Sequence, residues 1–191
     1  QVLNVSSNLI SLHLVPVLSR MTNLRSLVMN QCQFDDSSLA DLTTGLLNCT
    51  QLTCFKMCDN VFRQNTLDVL IPRLPQLQVL HLSNCGLDDD HAARLVDLLH
   101  AHTHLCSLYL LYNRLGSKTS QALVRWPRLQ YLEEVGFTFA KDISAVEELL
   151  QRSLFLVKWD IHHFLYLEPT CYNNIIRNAT LLSKSGDPEK G

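Results

Sequence analysis

Three histidines at alternate positions, His100, His102 and His104, form the densest group of potential metal ligands in the sequence. The outer two lie four residues apart, the spacing that places two imidazoles on one helix face for zinc. The run falls at the end of a predicted helix, however, and no cysteine or carboxylate stands at ligand spacing. We therefore interpret it as a polar loop between a helix and a strand, and predict no metal site.

Cysteine side chains offer two further candidates. Cys54 and Cys58 look like a ligand pair, but on one strand both would face outward. They would then lie about 13 Å apart at roughly 3.3 Å per residue, too far for a disulfide or a single metal. His162, His163 and Cys171 are the side-chain types of a base and a nucleophile. No carboxylate partner is fixed by the sequence, so we predict no catalytic residue there.

Arg114 raises the possibility of a regulator rather than a catalyst. Activators of GTPases present an arginine from a loop, and Arg114 directly follows a predicted turn at Asn113. An exposed turn arginine is far commoner, so GTPase regulation stays the alternative function. The six glycines form no phosphate-binding loop. We predict a protein that is not an enzyme and that takes no cofactor.

Composition limits the classes of partner. Lysine and arginine number 16 against 18 acidic residues, giving a formal net charge of −2, without the clustered basic excess of nucleic-acid or anionic-membrane binders. No apolar run approaches the roughly 20 residues of a membrane span. The seven cysteines are odd in number and fall mostly at repeat positions, which favours reduced thiols and a cytoplasmic location. Glycosylation sequons at Asn4, Asn48 and Asn178 argue the other way.

A leucine-rich repeat runs through the chain and must position all of these side chains. The pattern L-x-x-L-x-L-x-x-(N or C) begins at Leu24, Leu52, Leu77 and Leu105, and weaker copies begin at Leu129 and Leu154. The spacings of 28, 25, 28, 24 and 25 residues lie within the roughly 20 to 29 of this repeat class. A partial unit at the start indicates a fragment of a longer protein.

Each unit predicts a strand followed by a helix. The fold class is therefore an α/β leucine-rich-repeat solenoid, with a parallel sheet on the concave side and helices on the convex side. Helical spacing links Leu39, Leu42 and Leu46, and it links Leu95, Leu98 and Leu99 after the acidic start Asp88-Asp89-Asp90, which suits a helix N-terminus. The other predicted helices are Thr66–Ile71, Lys118–Val124 and Ser144–Leu150. The solenoid should span residues 1–182, with a capping helix over Cys171–Leu182, and 183–191 should be a disordered tail.

The last position of the pattern, here called the turn position, alternates between asparagine and cysteine: Asn8, Cys32, Asn60, Cys85 and Asn113. An asparagine there can bond to backbone groups of adjoining coils. The alternation over residues 1 to about 152 resembles the ribonuclease-inhibitor-like subclass of leucine-rich repeats, which also forms the sensing ends of NACHT-type innate immune receptors. The resemblance implies a protein-interaction module in a larger intracellular protein. A cytoskeletal or ciliary scaffold and a ubiquitin-ligase substrate receptor remain alternatives.

Strand residues between the inward leucines should form outward ladders on the concave side. The middle ladder is predicted to run Asn4, Val28, Lys56, His81, Tyr109, Glu133 and Lys158. Several members of the ladders are apolar, and exposed apolar patches rimmed by polar groups mark interaction sites, although solvated strand residues are the plainer interpretation. The predicted partner-binding residues are Val28, Lys56, Val79, His81, Tyr109, Leu111, Tyr131, Glu133 and Val135.

Overall fold

The computed structural model describes residues 1–9, 14–62, 66–127, 129 and 132, and the backbone of 134–139 and 158–160. Strands and helices alternate along this part of the chain. The strands are β1 Val2–Asn4, β2 Ser26–Val28, β3 Cys54–Lys56, β4 Val79–His81, β5 Ser107–Leu115, β6 Glu134–Phe139 and β7 Lys158–Asp160. The helices are α1 Val15–Leu18, α2 Asp36–Gly45, α3 Thr66–Leu70, α4 Asp89–Leu99 and α5 Ser117–Arg125, with 3-10 turns at Leu46–Asn48 and Ile71–Arg73.

The strands form one parallel sheet in sequence order, β1 to β7. Strands β1 to β5 pair in the register that the repeat predicts, so the central residues Leu3, Leu27, Phe55, Leu80 and Leu108 lie in one column. All of these except the half-buried Leu3 are fully buried. The structure is thus a leucine-rich-repeat solenoid with its sheet on the concave side and its helices on the convex side, as the sequence predicts.

The core lies between the sheet and the helices. Leu39, Leu42 and Leu46 from the α2 region and Leu95 and Leu99 from α4 are buried against the inward strand residues. Their spacing of three and four residues places them on one helix face. Burying each leucine contributes about 1.5–3 kcal/mol, and the repetition extends one core through successive units.

Aspartates begin the two longest helices. Asp35 caps α2 by accepting from the Ser38 N–H at 2.9 Å, and Asp88 caps α4 by accepting from the His91 N–H at 2.9 Å. The bonds from the Ser38 side chain and backbone hold the pKa of Asp35 below its usual range. An anion is stabilised at a helix N-terminus by the free amides and the dipole, which confirms the predicted acidic start of α4.

The structure corrects the register of the sixth strand. The repeat pattern places Glu133 beside Tyr109, but Gly136 pairs with Tyr109 and Val135 pairs with the buried Leu108. The sequence alignment would have put Glu134 in the inward column of Leu110. The observed three-residue shift puts Phe137 there instead, which avoids the cost of burying an unpaired carboxylate. Lys158 consequently pairs with Glu134 rather than Glu133.

Several sequence predictions lie outside the described residues. These are the helices Ser144–Leu150 and Cys171–Leu182, the tail 183–191, and the group formed by His162, His163 and Cys171. Within the described ranges, no helix has the length and apolar character that crossing a membrane requires.

Candidate functional site

The turn position holds each strand end against the coil before it, and Asn60 shows how. The Asn60 Nδ2 donates to three carbonyl oxygens, those of Met29, Met57 and Cys58 at 2.9, 2.9 and 3.2 Å. Its Oδ1 accepts from the backbone N–H groups of Cys32 and Phe34 at 3.2 and 3.0 Å. One buried amide therefore satisfies backbone groups in two consecutive coils, which would otherwise be buried without partners.

Asn113 repeats this arrangement two units later. Its Nδ2 donates to the carbonyl oxygens of Leu82, Leu110 and Leu111, and its Oδ1 accepts from the N–H groups of Cys85 and Leu87 at 3.0 and 3.1 Å. The predicted bonding of asparagine to adjoining coils is confirmed at both positions.

Cysteine occupies the intervening turn positions as a hydrogen-bond donor alone. Cys32 Sγ donates to the Val5 carbonyl at 3.2 Å, and Cys85 Sγ donates to the Met57 carbonyl at 3.2 Å. Burial raises the pKa of Cys85 to about 12, so this thiol keeps its proton. The six cysteines in the described ranges are all free thiols. Cys85 therefore acts in packing and bridging, because a buried thiol with a raised pKa is a poor nucleophile.

A row of left-handed residues lies immediately before the turn positions. Ser7, Gln31, Asp59, Asn84 and Tyr112 all have φ between 53° and 60°. The side chains of the first four also join one another across the coils: the Ser7 Oγ donates to Gln31, and the Asp59 carboxylate accepts from Gln31 and Asn84. This row was not predicted from the sequence, although each of its members can be located as the residue directly before a turn position.

The helix-to-strand returns are bridged in the same manner on the opposite edge. Cys49 Sγ donates to the Leu18 carbonyl at 3.4 Å, and His102 Nε2 lies 3.0 Å from the Ile71 carbonyl. His102 is 3% exposed, and the His100 ring stacks on Trp126 with centroids 6.2 Å apart. The histidine run lies in the loop between α4 and β5, as predicted, and within that loop His102 is a buried link between coils.

The bridged strands present a concave surface whose central column contains Asn4, Val28, Lys56, His81 and Tyr109 in register. Val28, Lys56, His81 and Tyr109 are all half-buried, as is Val79 in the neighbouring column. The His81 and Tyr109 rings lie with centroids 4.8 Å apart at 38°. The structure thus brings together five of the nine predicted binding residues, with an aromatic pair beside a lysine.

The remaining predicted binding residues do not form a continuation of this column. Leu111 is 6% exposed and Cys58 is 7% exposed. Their backbone N–H groups bond to side chains of the preceding strands' ends: the Ser83 hydroxyl accepts from the Leu111 N–H, and Asn30 Oδ1 accepts from the Cys58 N–H. The predicted outward exposure of Leu111 and Cys58 is therefore wrong. Val135 falls in the column of Leu108, and Tyr131 and Glu133 lie outside the described residues.

The described residues contain no group of histidine, cysteine and carboxylate side chains able to hold a metal ion. Arg114 is exposed near the end of β5, where its N–H donates to the Leu87 carbonyl at 2.8 Å. A shallow groove between α2 and α3 on the convex side, lined by Thr44, Leu47, Val69 and Arg73 among others, brings together no titratable pair. The concave column is accordingly the best candidate for a functional surface.

No protein-family model matches the sequence, and no curated protein matches it. Among solved structures, the chain is similar to the tropomodulin C-terminal domain of Caenorhabditis elegans, with a TM-score of 0.60 and 16% identity over 74% of this chain and 89% of that one. It is also similar to an internalin of Listeria monocytogenes, with a TM-score of 0.50 and 19% identity over 76% of this chain and 44% of the internalin. At these identities the likeness establishes the fold alone, the leucine-rich-repeat solenoid.

Proposed function

We propose that this chain is a protein-interaction module that binds its partner on the concave strand surface. The observation that carries the proposal is the central column, in which Val28, Lys56, His81 and Tyr109 stand side by side and half-exposed on four consecutive strands. Aromatic and apolar side chains with a nearby charge are the composition of interface centres. An extended rigid sheet suits a protein surface better than a small molecule, which calls for an enclosed pocket.

Rigidity supports the same proposal. The strand ends are tied to neighbouring coils by Asn60 and Asn113, and the opposite edge is tied by Cys49 and His102. A surface held in this way loses little conformational freedom when a partner binds, so more of the contact energy appears as affinity.

The finer proposal is the recognition or scaffolding part of a larger intracellular protein, with an innate immune receptor as the leading type. The alternation of asparagine and cysteine at turn positions, and the bonds that each type makes there, support the ribonuclease-inhibitor-like subclass. Buried thiols that donate to carbonyls support a reducing compartment.

A capture experiment tests the surface assignment. The purified chain, immobilised as bait in cell lysate, should retain a set of proteins that is lost by a His81→Ala, Tyr109→Ala double variant with an unchanged melting temperature. A matched convex variant, Asp97→Ala with Gln121→Ala, alters two exposed helix residues and should retain the set. Loss with the convex variant and retention with the concave variant would assign binding to the helical side.

A further inference from the structure

Charge on the first five strands of the sheet is one-sided. Strands β1 to β5 contain no aspartate or glutamate, whereas Lys56 lies at the middle of the central column with His81 next to it. Lys56 forms no ion pair within the described residues. The surface therefore has a cationic centre without a carboxylate from its own strands to neutralise it.

The acidic side chain closest to Lys56 in sequence, Asp59, is hydrogen-bonded to the turn residues Gln31 and Asn84. Asp59 follows β3, and its two carboxylate oxygens accept from Asn84 at 2.8 Å and Gln31 at 3.4 Å, within the row of left-handed turns. Further along the sheet, Glu134 and Asp160 enter only in β6 and β7, and Glu134 is next to Lys158 in register. The excess positive charge is thus confined to the centre of the surface.

Apolar side chains flank this centre. Val28 precedes Lys56 in the column, Val79 lies in the neighbouring column of β4, and the Tyr109 ring lies tilted against His81. Since neighbouring strands are about 4.8 Å apart, Val28 and Tyr109 are separated by three strand steps, roughly 14 Å. This distance matches about four residues of an extended peptide at roughly 3.3 Å each.

We propose that the partner presents an acidic segment to this surface, with a carboxylate at Lys56 and a large apolar side chain between Val79 and Tyr109. The inference rests on the proposed function and names the chemistry of its partner. Complementary charge steers association and selects among partners, while burial of the aromatic and aliphatic groups supplies most of the binding energy.

A nucleic acid is the less suitable polyanion. Binding along a phosphate backbone requires cations repeated over several strands and bases stacked on aromatic rings. In the described part of the central column there is a single lysine, and Val28 and Tyr109 occupy the positions on either side of the Lys56–His81 pair. The combination of one cation with apolar flanks fits a carboxylate in an otherwise apolar peptide segment.

A peptide selection tests this chemistry without knowledge of the natural partner. Random 12-residue peptides displayed on phage are selected on the purified chain and counter-selected on its Tyr109→Ala variant, which removes peptides that bind elsewhere. The expected sequences are enriched in aspartate or glutamate close to leucine, isoleucine, phenylalanine, tyrosine or tryptophan. Their affinity should fall with rising salt and fall about tenfold on Lys56→Glu. It should return in part when the peptide's acidic residue is replaced by lysine.

Arg73→Glu on the convex side is the matched charge reversal and should leave the affinity unchanged. Peptides that depend on Tyr109 but are neutral or basic would overturn the acidic-segment proposal while leaving the proposed function intact. If the counter-selection removes every enriched peptide, because all of them bind the Tyr109→Ala variant equally well, the surface assignment itself is overturned. A failure to enrich any sequence would also overturn the acidic-segment proposal. So would a 12-nucleotide single-stranded DNA that binds as tightly as the selected peptides and loses its binding on Lys56→Glu.

Discussion

Replacing Asn60 with alanine removes five hydrogen bonds at once and tests how the coils are held together. The backbone N–H groups of Cys32 and Phe34 lose their acceptor, and the carbonyls of Met29, Met57 and Cys58 lose a donor. The carbonyl groups are the less costly loss, because the Cys58 oxygen also accepts from Gln31 N–H and the Met57 oxygen also accepts from the Cys85 thiol.

The two orphaned N–H groups therefore set the magnitude. Each buried donor left unsatisfied costs about 1–3 kcal/mol, and a water molecule can occupy part of the vacated space if it finds polar partners. We expect Asn60→Ala to lower the free energy of unfolding by about 3 kcal/mol. Cys85→Ala removes only a weak thiol donor and should cost about 1 kcal/mol.

Urea denaturation followed by circular dichroism measures both changes. Asn60→Cys separates the two halves of the asparagine's role, because a thiol can donate to the carbonyls but cannot accept from two N–H groups. It should therefore be nearly as destabilising as Asn60→Ala. The reasoning is refuted if Cys85→Ala proves more destabilising than Asn60→Ala, or if Asn60→Cys is as stable as the wild type.

Two further predictions concern the Asp89 carboxylate, which accepts from the N–H groups of Gly116, Lys118 and Thr119 at the start of α5. Burial alone would raise the pKa of Asp89, but these bonds together with the Thr119 hydroxyl lower it below its usual value of 3.8. Because the folded-state pKa is depressed, the stability that the charge contributes is present above about pH 4 and is lost as pH falls through the folded pKa. Urea melts between pH 7 and pH 3 should therefore show that Asp89→Asn is destabilised at pH 7 and that its difference from the wild type shrinks in acid. A difference that stays constant with pH would contradict this. A Cβ at Gly116 would lie 2.9 Å from Asp89 Oδ2. Gly116→Ala should therefore lower the free energy of unfolding by about 1–2 kcal/mol in the wild type, and by less in an Asp89→Ala background. Strictly additive effects in a double-mutant cycle would count against the contact.

Much of the fold could be predicted because the repeat encodes it locally. Leu27, Leu80 and Leu108 recur at positions where a strand must face a core, and the helical spacing of Leu95 and Leu99 follows with an acidic start. The turn positions were equally accessible, because few side chains other than asparagine can both donate to and accept from buried backbone.

Other features depend on contacts between units that the pattern does not contain. The sixth strand departs from the alignment by three residues, so that Val135 pairs with Leu108 and Phe137, rather than Glu134, pairs with Leu110. The pattern could not predict that Leu111 would be buried or that His102 would lie beside the Ile71 carbonyl. The central column of the candidate surface was predicted as far as Tyr109, where the regular units end.

The central claim, that partners bind the concave strands, is tested most directly by protection of a natural thiol. Cys54 lies half-exposed in β3, two residues from Lys56 and paired in register with Val79. A protein recovered by the capture experiment is added to the chain, and the rate of Cys54 alkylation by N-ethylmaleimide is followed by mass spectrometry. A cysteine introduced at the exposed convex position, Gln121→Cys, reports on the opposite side. We predict that the partner slows alkylation of Cys54 severalfold and leaves the residue-121 thiol unaffected; protection of that thiol with Cys54 still reactive would contradict the account.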